Sequence, residues 1–170
     1  MTSLVMSFIG RDKPGLVGLL STTIAEHGGN WLESGMSRLG GQFAGVLIIQ
    51  VPEERQPELI NALQALEQQG LRVSVEKSAE DESHAGNRSV TLDLIGHDKP
   101  GIVREISQAL AGMQVNVHKM QTELTSGSMS GEQLFKAHAE IWVPSPVDLD
   151  ELQDKLESIA SDLMVDITLN

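Results

Sequence analysis

The sequence predicts an α+β protein made of two tandem βαββαβ units, each with an antiparallel sheet that has both helices on one face. The first observation is a repeat: residues 10–17 read Gly-Arg-Asp-Lys-Pro-Gly-Leu-Val, and residues 96–103 read Gly-His-Asp-Lys-Pro-Gly-Ile-Val. The second is that strand-like and helix-like apolar spacings follow each copy in the same order. The third is a polar segment between the copies, at residues 79–88. We therefore predict a first domain at 1–78, a linker at 79–88 and a second domain at 89–170.

The elements of the first unit follow from its apolar residues and its glycines. Alternating apolar residues favour strands, whereas recurrence every three or four residues, as at Leu16, Leu20 and Ile24, favours a helix. Gly28 would end that helix, and Gly40 would begin a hairpin turn. The predicted elements are a strand at 4–9, a helix at 14–27, strands at 30–39 and 43–51, a helix at 57–69 and a strand at 71–76.

The second unit repeats this order with one insertion. Its predicted elements are a strand at 89–95, a helix at 100–112, strands at 115–125 and 133–143, a helix at 148–161 and a strand at 164–169. Aligned residues are 86 positions apart at first, as Asn30 and Asn116 are, and 92 apart later, as Phe43 and Phe135 are. About six extra residues therefore separate these anchors, and we place them at 126–131, which is rich in turn-forming Ser and Gly.

The third strand of each unit has one apolar face, which we place under the helices. The opposite face differs between the units. Its residues are Ala44, Val46, Ile48 and Gln50 in the first unit, and Lys136, His138, Glu140 and Trp142 in the second. A helix-free sheet face that is apolar favours a contact surface, so we expect the first unit's face to be packed against something and the second's to be mostly solvated. The alternative is that these apolar residues are ordinary surface scatter.

The composition excludes several kinds of site and partner. There are 12 lysines and arginines against 24 aspartates and glutamates, which gives a formal net charge of −12, and there is no cysteine. The missing cysteine excludes disulfides, Cys-ligated metals and a cysteine nucleophile. The acidity disfavours direct binding to nucleic acid or to an anionic membrane. Because the sequence has neither an apolar run of membrane-spanning length nor a signal-peptide pattern at its start, we expect a cytoplasmic protein.

The repeated segment between the first strand and the first helix is the candidate binding loop. Asp12 stands where a helix N-cap would accept a backbone N–H, Pro14 suits the first helical turn, and Gly15 lets a ligand approach the backbone. Free N–H groups and the helix dipole would favour a carboxylate or a phosphate. The second unit repeats the pattern with Asp98 and Gly101. The alternative is that the segment is only a stable helix start.

Asn30 and Asn116 open the second strand of each unit. An asparagine amide has one acceptor oxygen and two donor N–H groups. Placed beside the first helical turn, it would bind the amine of a zwitterion and help to orient it. The alternative is a turn residue that bonds its own backbone.

An enzyme is the less favoured interpretation. Of the histidines, only His118 and His138 could converge, with Glu140 nearby, and two histidines with a carboxylate can bind a metal. The sequence has no helical His-Glu-x-x-His motif, no Gly-x-Ser-x-Gly elbow and no Walker-type phosphate loop. We therefore predict no catalytic residues, no cofactor and no metal.

The motif Gly-x-Asp-x-Pro-Gly, placed between the first strand and the first helix of a βαββαβ unit, resembles the ACT domain, a ferredoxin-like regulatory module that typically binds amino acids. The resemblance covers residues 3–77 and 89–170, and two such units in tandem are similar to the family of the glycine cleavage system transcriptional repressor. It implies a ligand by the loop and the first helical turn, often where two ACT units meet. The ligand-binding residues that it implies are Asp12, Gly15, Leu16, Asn30, Asp98, Gly101, Ile102 and Asn116.

The resemblance also implies a function. It implies a non-catalytic regulatory protein that senses a small amino acid, with glycine as a candidate, and that acts through a protein partner rather than on DNA. The net charge of −12 is compatible with such an indirect role. The sequence leaves a homodimer open. The alternatives are a ligand-independent module for protein interaction or dimerisation and, less favoured, a small metal-dependent enzyme.

Overall fold

The structure is a computed structural model that describes residues 2–79, 86–127 and 131–170. The chain divides into two compact units, Met1–Glu80 (unit 1) and Asp81–Asn170 (unit 2). The division falls within the segment that the sequence analysis assigned to a linker, and residues 80–85 of that segment lie outside the described residues.

Unit 1 has the predicted βαββαβ order. Its strands and helices are β1 Thr2–Arg11, α1 Leu16–Glu26, β2 Asn30–Leu39, β3 Gln42–Val51, α2 Gln56–Gln64 and β4 Leu71–Lys77, with 3-10 turns at Glu53–Arg55 and Ala65–Gln69. The four strands form one sheet in the order β2-β3-β1-β4. Every neighbouring pair is antiparallel. In this order, β1 and β3 form the centre of the sheet, and β2 and β4 form its edges.

Unit 2 repeats the architecture. Its elements are β5 Arg88–His97, α3 Ile102–Gly112, β6 Asn116–Ser126, β7 Gln133–Val143, α4 Leu149–Leu163 and β8 Val165–Leu169. The sheet order is β6-β7-β5-β8, and all pairs are again antiparallel. The predicted fold class, two antiparallel βαββαβ units, is therefore confirmed.

Each unit has its own apolar core between its sheet and its helices. In unit 1, Met6 of β1 and Leu47 of β3 are buried in one cluster with Leu20 of α1 and Leu63 of α2. The corresponding cluster in unit 2 includes Leu92, Ile141, Ile106 and Leu156. In each unit, the cluster joins both helices to the same face of the sheet, as the apolar spacing predicted.

The apolar face of β3 lies under the helices, as the sequence analysis predicted, whereas the packing of its opposite face against a partner stays a prediction. Leu47, Ile49 and Val51 are fully buried under the helices. On the opposite face, Val46 is 51% exposed and Ile48 is half-buried. The equivalent face in unit 2 is polar, and both Lys136 and His138 are exposed there.

The hairpins account for the inserted residues. In unit 1, Leu39 pairs with Gln42 across a two-residue turn in which Gly40 and Gly41 have φ of +59° and +80°, as a type I′ turn requires. In unit 2 the paired strands are longer, Ser126 pairs with Gln133, and the connection spans residues 127–132. The extra residues thus fall between the paired Ser126 and Gln133, and residues 128–130 of the predicted insertion lie outside the described residues.

Candidate functional site

The loop after β1 has a different geometry from the predicted N-cap. Helix α1 begins at Leu16, two residues later than predicted, and its N-cap is Gly15 with φ of +92° and no side-chain cap bond. The prediction that Asp12 caps the helix is therefore wrong. The reason is that Pro14 and Gly15 form a turn before the helix, with Gly15 in the left-handed conformation, so Asp12 lies four residues before Leu16.

The Asp12 carboxylate instead binds a cation from a neighbouring strand. Arg38 Nε of β2 lies 2.5 Å from Asp12 Oδ2, and the Asp12 main-chain N–H donates to the Gly41 carbonyl at 3.0 Å. The Asp12 side chain is 25% exposed, whereas that of Arg38 is 71% exposed. The Asp12 carboxylate and the Arg38 guanidinium thus form an ion pair beside the loop.

The first turn of α1 presents unbonded N–H groups at the same place. The first helical bond runs from the Leu19 N–H to the Gly15 carbonyl at 2.9 Å, so the N–H groups of residues 16–18 have no partner within the helix. These groups and the helix dipole favour an anion. The adjoining concavity has a volume of about 370 Å³ and is lined by the loop, the first turn of α1, Arg38 and Phe43.

This arrangement suits a small zwitterion. The Arg38 guanidinium and the free N–H groups can hold a carboxylate, and the Asp12 carboxylate can accept from an ammonium group. Lys13 adds no free cation at this point, because its Nζ donates to the Gln69 carbonyl at 3.0 Å. Sequence reasoning missed Arg38, since nothing in its local sequence links it to a loop 26 residues earlier.

The loop of unit 2 has the same backbone but different side chains. Gly101 is the N-cap of α3 with φ of +94° and no side-chain cap bond, and the Asp98 N–H donates to the Gln133 carbonyl at 3.1 Å. The position that matches Arg38 is Leu124, because each pairs with the aligned phenylalanine of its sheet. Asp98 therefore has no arginine at that position.

The first turn of α3 also differs. Arg104 stands where unit 1 has Gly18, and its Nη2 donates to Glu105 Oε1 at 3.3 Å. The concavity beside this loop, about 250 Å³, lies on the side of the helix that faces α4, where Ile159 and Asp162 line it. Ile102 is buried in the core of unit 2, as Leu16 is in unit 1, so neither side chain projects into solvent at its loop.

Asn30 and Asn116 lie far from the loops of their own units. Asn30 pairs with Gln50, in line with Ser3 near the start of β1, whereas the loop follows Arg11 at its end. Eight residues of strand at about 3.4 Å each separate the two ends by roughly 27 Å. The prediction that Asn30 lies beside the first helical turn is therefore wrong, because α1 carries the chain back along the sheet before β2 begins.

Unit 2 repeats this separation. Asn116 pairs with Trp142, which pairs with Ser89 near the start of β5, whereas Asp98 follows the end of that strand. Within each unit, a ligand at the loop would lie beside the Asp and Gly positions and far from the Asn position.

The histidines of unit 2 do not converge. His138 Nδ1 lies 2.6 Å from Asp93 Oδ1. His118 lies at a bulge in β6 and stacks on Trp142, with ring centroids 4.2 Å apart. His138 and Trp142 are four residues apart on β7, or about 14 Å. Within the described residues, no group of three or more His, Cys, Asp or Glu is placed to hold a metal ion.

Unit 2 contains an apolar cavity that sequence reasoning missed. Its volume is about 140 Å³, and it lies between α3 and the strands β6 and β7. Its lining includes Leu94, Val117 and Ala139. The aligned residues in unit 1 are Phe8, Trp31 and Leu47, and the smaller side chains of unit 2 leave the space unfilled.

No helix in the described parts of the chain combines the length and the apolar character needed to cross a membrane.

Comparisons with known proteins identify both units. The ACT domain model matches residues 2–76, and a second ACT domain model matches residues 84–161. No curated protein sequence matches the chain.

Solved structures match the whole chain. An unknown protein from Galdieria sulphuraria is 26% identical, with a TM-score of 0.84 over 99% of this chain and 97% of that one. A candidate glycine cleavage system transcriptional repressor is 20% identical, with a TM-score of 0.74 over 99% of this chain and 96% of that one. At 20% identity, the similarity to this second structure shows a shared fold and nothing more. The chain therefore belongs to the ACT-domain family and contains two ACT domains in tandem.

Proposed function

We propose that the chain is a non-catalytic regulatory protein that binds a small amino acid at the loop of unit 1 and communicates the bound state to a protein partner. ACT domains indicate a regulatory role that senses amino acids. The observation that carries the proposal is the Asp12–Arg38 ion pair beside the free N–H groups of α1. It offers complementary groups to both charges of a zwitterion.

The proposal assigns different roles to the two units. Unit 1 has the arginine and an open first turn at Gly18, whereas unit 2 has Leu124 and Arg104 at these positions. Asp12, Gly15 and Leu16 thus belong to the main site. Asp98, Gly101 and Ile102 form a weaker or silent counterpart. Asn30 and Asn116 are left out of the proposed contacts because of their distance.

Glycine is the first ligand to test, because the chain has the fold of a candidate glycine cleavage system repressor. A protein partner, rather than DNA, is proposed because the net charge is −12 and binding to phosphates requires basic residues. A ligand shifts such a protein between states only by its differential affinity for them.

Calorimetric titration of the full chain with each of the twenty amino acids tests this function. We expect one small amino acid to bind. We expect Arg38→Gln and Asp12→Asn to weaken its affinity at least tenfold, or about 1.4 kcal/mol. Both variants should stay folded, because an ion pair whose arginine is 71% exposed contributes only about 0–1 kcal/mol to stability.

Asp98→Asn is the matched control in unit 2 and should change the affinity less than threefold. If no amino acid gives a heat signal or a thermal shift, the sensing function is wrong and a ligand-independent interaction module takes its place. If Asp98→Asn abolishes binding and Asp12→Asn does not, the site belongs to unit 2.

A further inference from the structure

The sheet of unit 1 has one face under its helices and an opposite face that the amino-acid site does not use. We call it the open face: the odd-numbered residues of β1, the even-numbered residues of β3 and β4, and the odd-numbered residues of β2 from Glu33 onwards. It lies opposite the helices. Its centre is apolar and includes Val5, Ile9, Val46 and Ile48, with Val46 51% and Ile9 40% exposed.

The charges of the open face are sorted by sign along the strands. Among the described residues, four charged side chains lie on it. Arg11 and Arg72 are at one end, where Arg72 pairs with Ile9. Glu33 and Glu76 are at the other end, in line with Val5 and Ile48. Arg72 and Glu76 make no side-chain hydrogen bond or ion pair with any described residue.

A central row separates the two ends. Val46 pairs with Ser7 on one side and with Gly35 on the other, and Ser7 pairs with Ser74. The row that contains Arg72 lies directly on one side of this row, and the row that contains Glu76 lies on the other. Along the strands, the open face therefore changes from a positively charged row to a neutral central row and then to a negatively charged row.

We propose that the open face binds the open face of a second copy of this chain, with a two-fold axis along the central row. Such an axis reverses the strands and keeps each strand over its own counterpart. It places Arg72 over the partner's Glu76, and Glu76 over the partner's Arg72. Val46 meets its own counterpart on the axis, and Ile9 meets the partner's Val5. The surface is self-complementary, as an isologous dimer requires.

The alternative two-fold axis, parallel to the strands, is disfavoured by the same registers. It would exchange β2 with β4 and place Glu33 over the partner's Glu76 twice. Like charges in contact cost stability and select against that orientation. The charges thus choose one of the two face-to-face arrangements.

The dimensions and the second unit support a copy of unit 1 as the occupant. Strands about 4.8 Å apart and rows about 6.8 Å apart give the open face an area of roughly 600 Å², near the ~800 Å² per partner of a standard interface. In unit 2 the equivalent central row holds Asp93 and His138. Burying these polar side chains would incur a desolvation cost, so the self-pairing belongs to unit 1.

Sedimentation equilibrium of the full chain tests the interface. We expect the wild-type chain to be a dimer and Val46→Lys to be monomeric, since it brings two ammonium groups together on the axis. His138→Lys is the matched control, because His138 aligns with Val46 at an offset of 92, and it should leave the dimer intact. Circular dichroism checks that both variants are folded. A wild-type monomer at about 100 μM, or a dimer that withstands Val46→Lys, overturns the proposal.

Charge reversal tests the orientation. Arg72→Glu or Glu76→Arg alone should weaken the dimer at least tenfold, because each creates two like-charge contacts. The double variant should restore the dissociation constant to within about threefold, because every Arg–Glu contact is remade with its ends exchanged. A double variant as weak as the singles overturns the orientation. These results do not depend on whether any amino acid binds.

Discussion

At the scale of single residues, Gly15 and Gly101 determine how the two candidate binding loops are shaped. Both have φ above +90°, a conformation that L-residues with a Cβ adopt only at a cost. A Cβ added at Gly15 would meet no atom within 4 Å. The backbone conformation therefore requires glycine at this position, since no protein atom would clash with a side chain there. That a ligand approaches the backbone at Gly15 stays a prediction.

Gly15→Ala should destabilise the chain by about 1–2 kcal/mol, because the left-handed conformation is strained for alanine. Urea unfolding measures the change. Gly18→Ala is the paired control: Gly18 lies inside α1, a Cβ there also meets nothing within 4 Å, and the helical backbone suits alanine. That variant should gain about 0.5–1 kcal/mol. Equal effects of the two substitutions would contradict the role of φ.

At the scale of elements, the space between the first helix and the sheet is filled by side chains in unit 1, whereas unit 2 has a cavity between α3 and the strands β6 and β7. Phe8, Trp31 and Leu47 occupy the space that Leu94, Val117 and Ala139 leave open under α3. The cavity measures about 140 Å³, and its lining loses contacts that a filled core would have. The duplicated elements therefore share their topology but not their internal fit.

Ala139→Leu should stabilise unit 2 by about 1 kcal/mol, because the larger side chain fills an existing space. The reverse change at the matched position, Leu47→Ala, should cost about 2–5 kcal/mol, because Leu47 is fully buried and its removal opens a cavity. Thermal unfolding of both variants checks the pair. A loss of stability in Ala139→Leu would show that the cavity walls cannot admit the added methyl groups.

At the scale of the whole molecule, each unit contains a complete sheet and a core of its own. The open face and the proposed amino-acid site both belong to unit 1. The open face carries sorted charges, whereas the matching face of unit 2 has a polar centre with the His138–Asp93 contact. The duplication thus leaves one unit suited to self-association and the other unsuited to it.

A fragment of residues 1–80 should fold alone, because it contains all elements of unit 1 and its core. We expect a cooperative urea transition with a stability of a few kcal/mol, since a domain of this size buries a smaller share of its surface than larger domains do. The fragment of residues 81–170 is the comparison. A fragment of residues 1–80 without a cooperative transition would show that unit 1 depends on the rest of the chain.

The fold was predictable because its signals are local or repeated. The apolar spacing of Leu16, Leu20 and Ile24 predicted α1, and Gly40 with Gly41 predicted the hairpin. The start of α1 was predicted too early because Pro14 suits both a first helical turn and the turn before it. Asp148 shows the capping that was expected at Asp12: its Oδ1 accepts from the Asp150 N–H at 2.9 Å at the start of α4.

The candidate site was only half predictable. Asp12 and Gly15 stand in the repeated motif, and the structure places both at the concavity. Arg38 was missed, and Asn30 was placed beside the loop although it lies at the opposite end of β2. Both errors have the same cause. The antiparallel return of the chain brings Arg38 to the loop and keeps Asn30 away from it, and local sequence patterns do not encode that return.

By itself, the sequence determined the two units, their element order and the position of the candidate binding loops, because periodicity, glycines and a repeated motif act over a few residues. The tertiary structure alone decided that Arg38 pairs with Asp12, that unit 2 is hollow where unit 1 is filled, and that the charges of the open face separate by sign. Those features depend on strand register, which joins residues far apart in the chain.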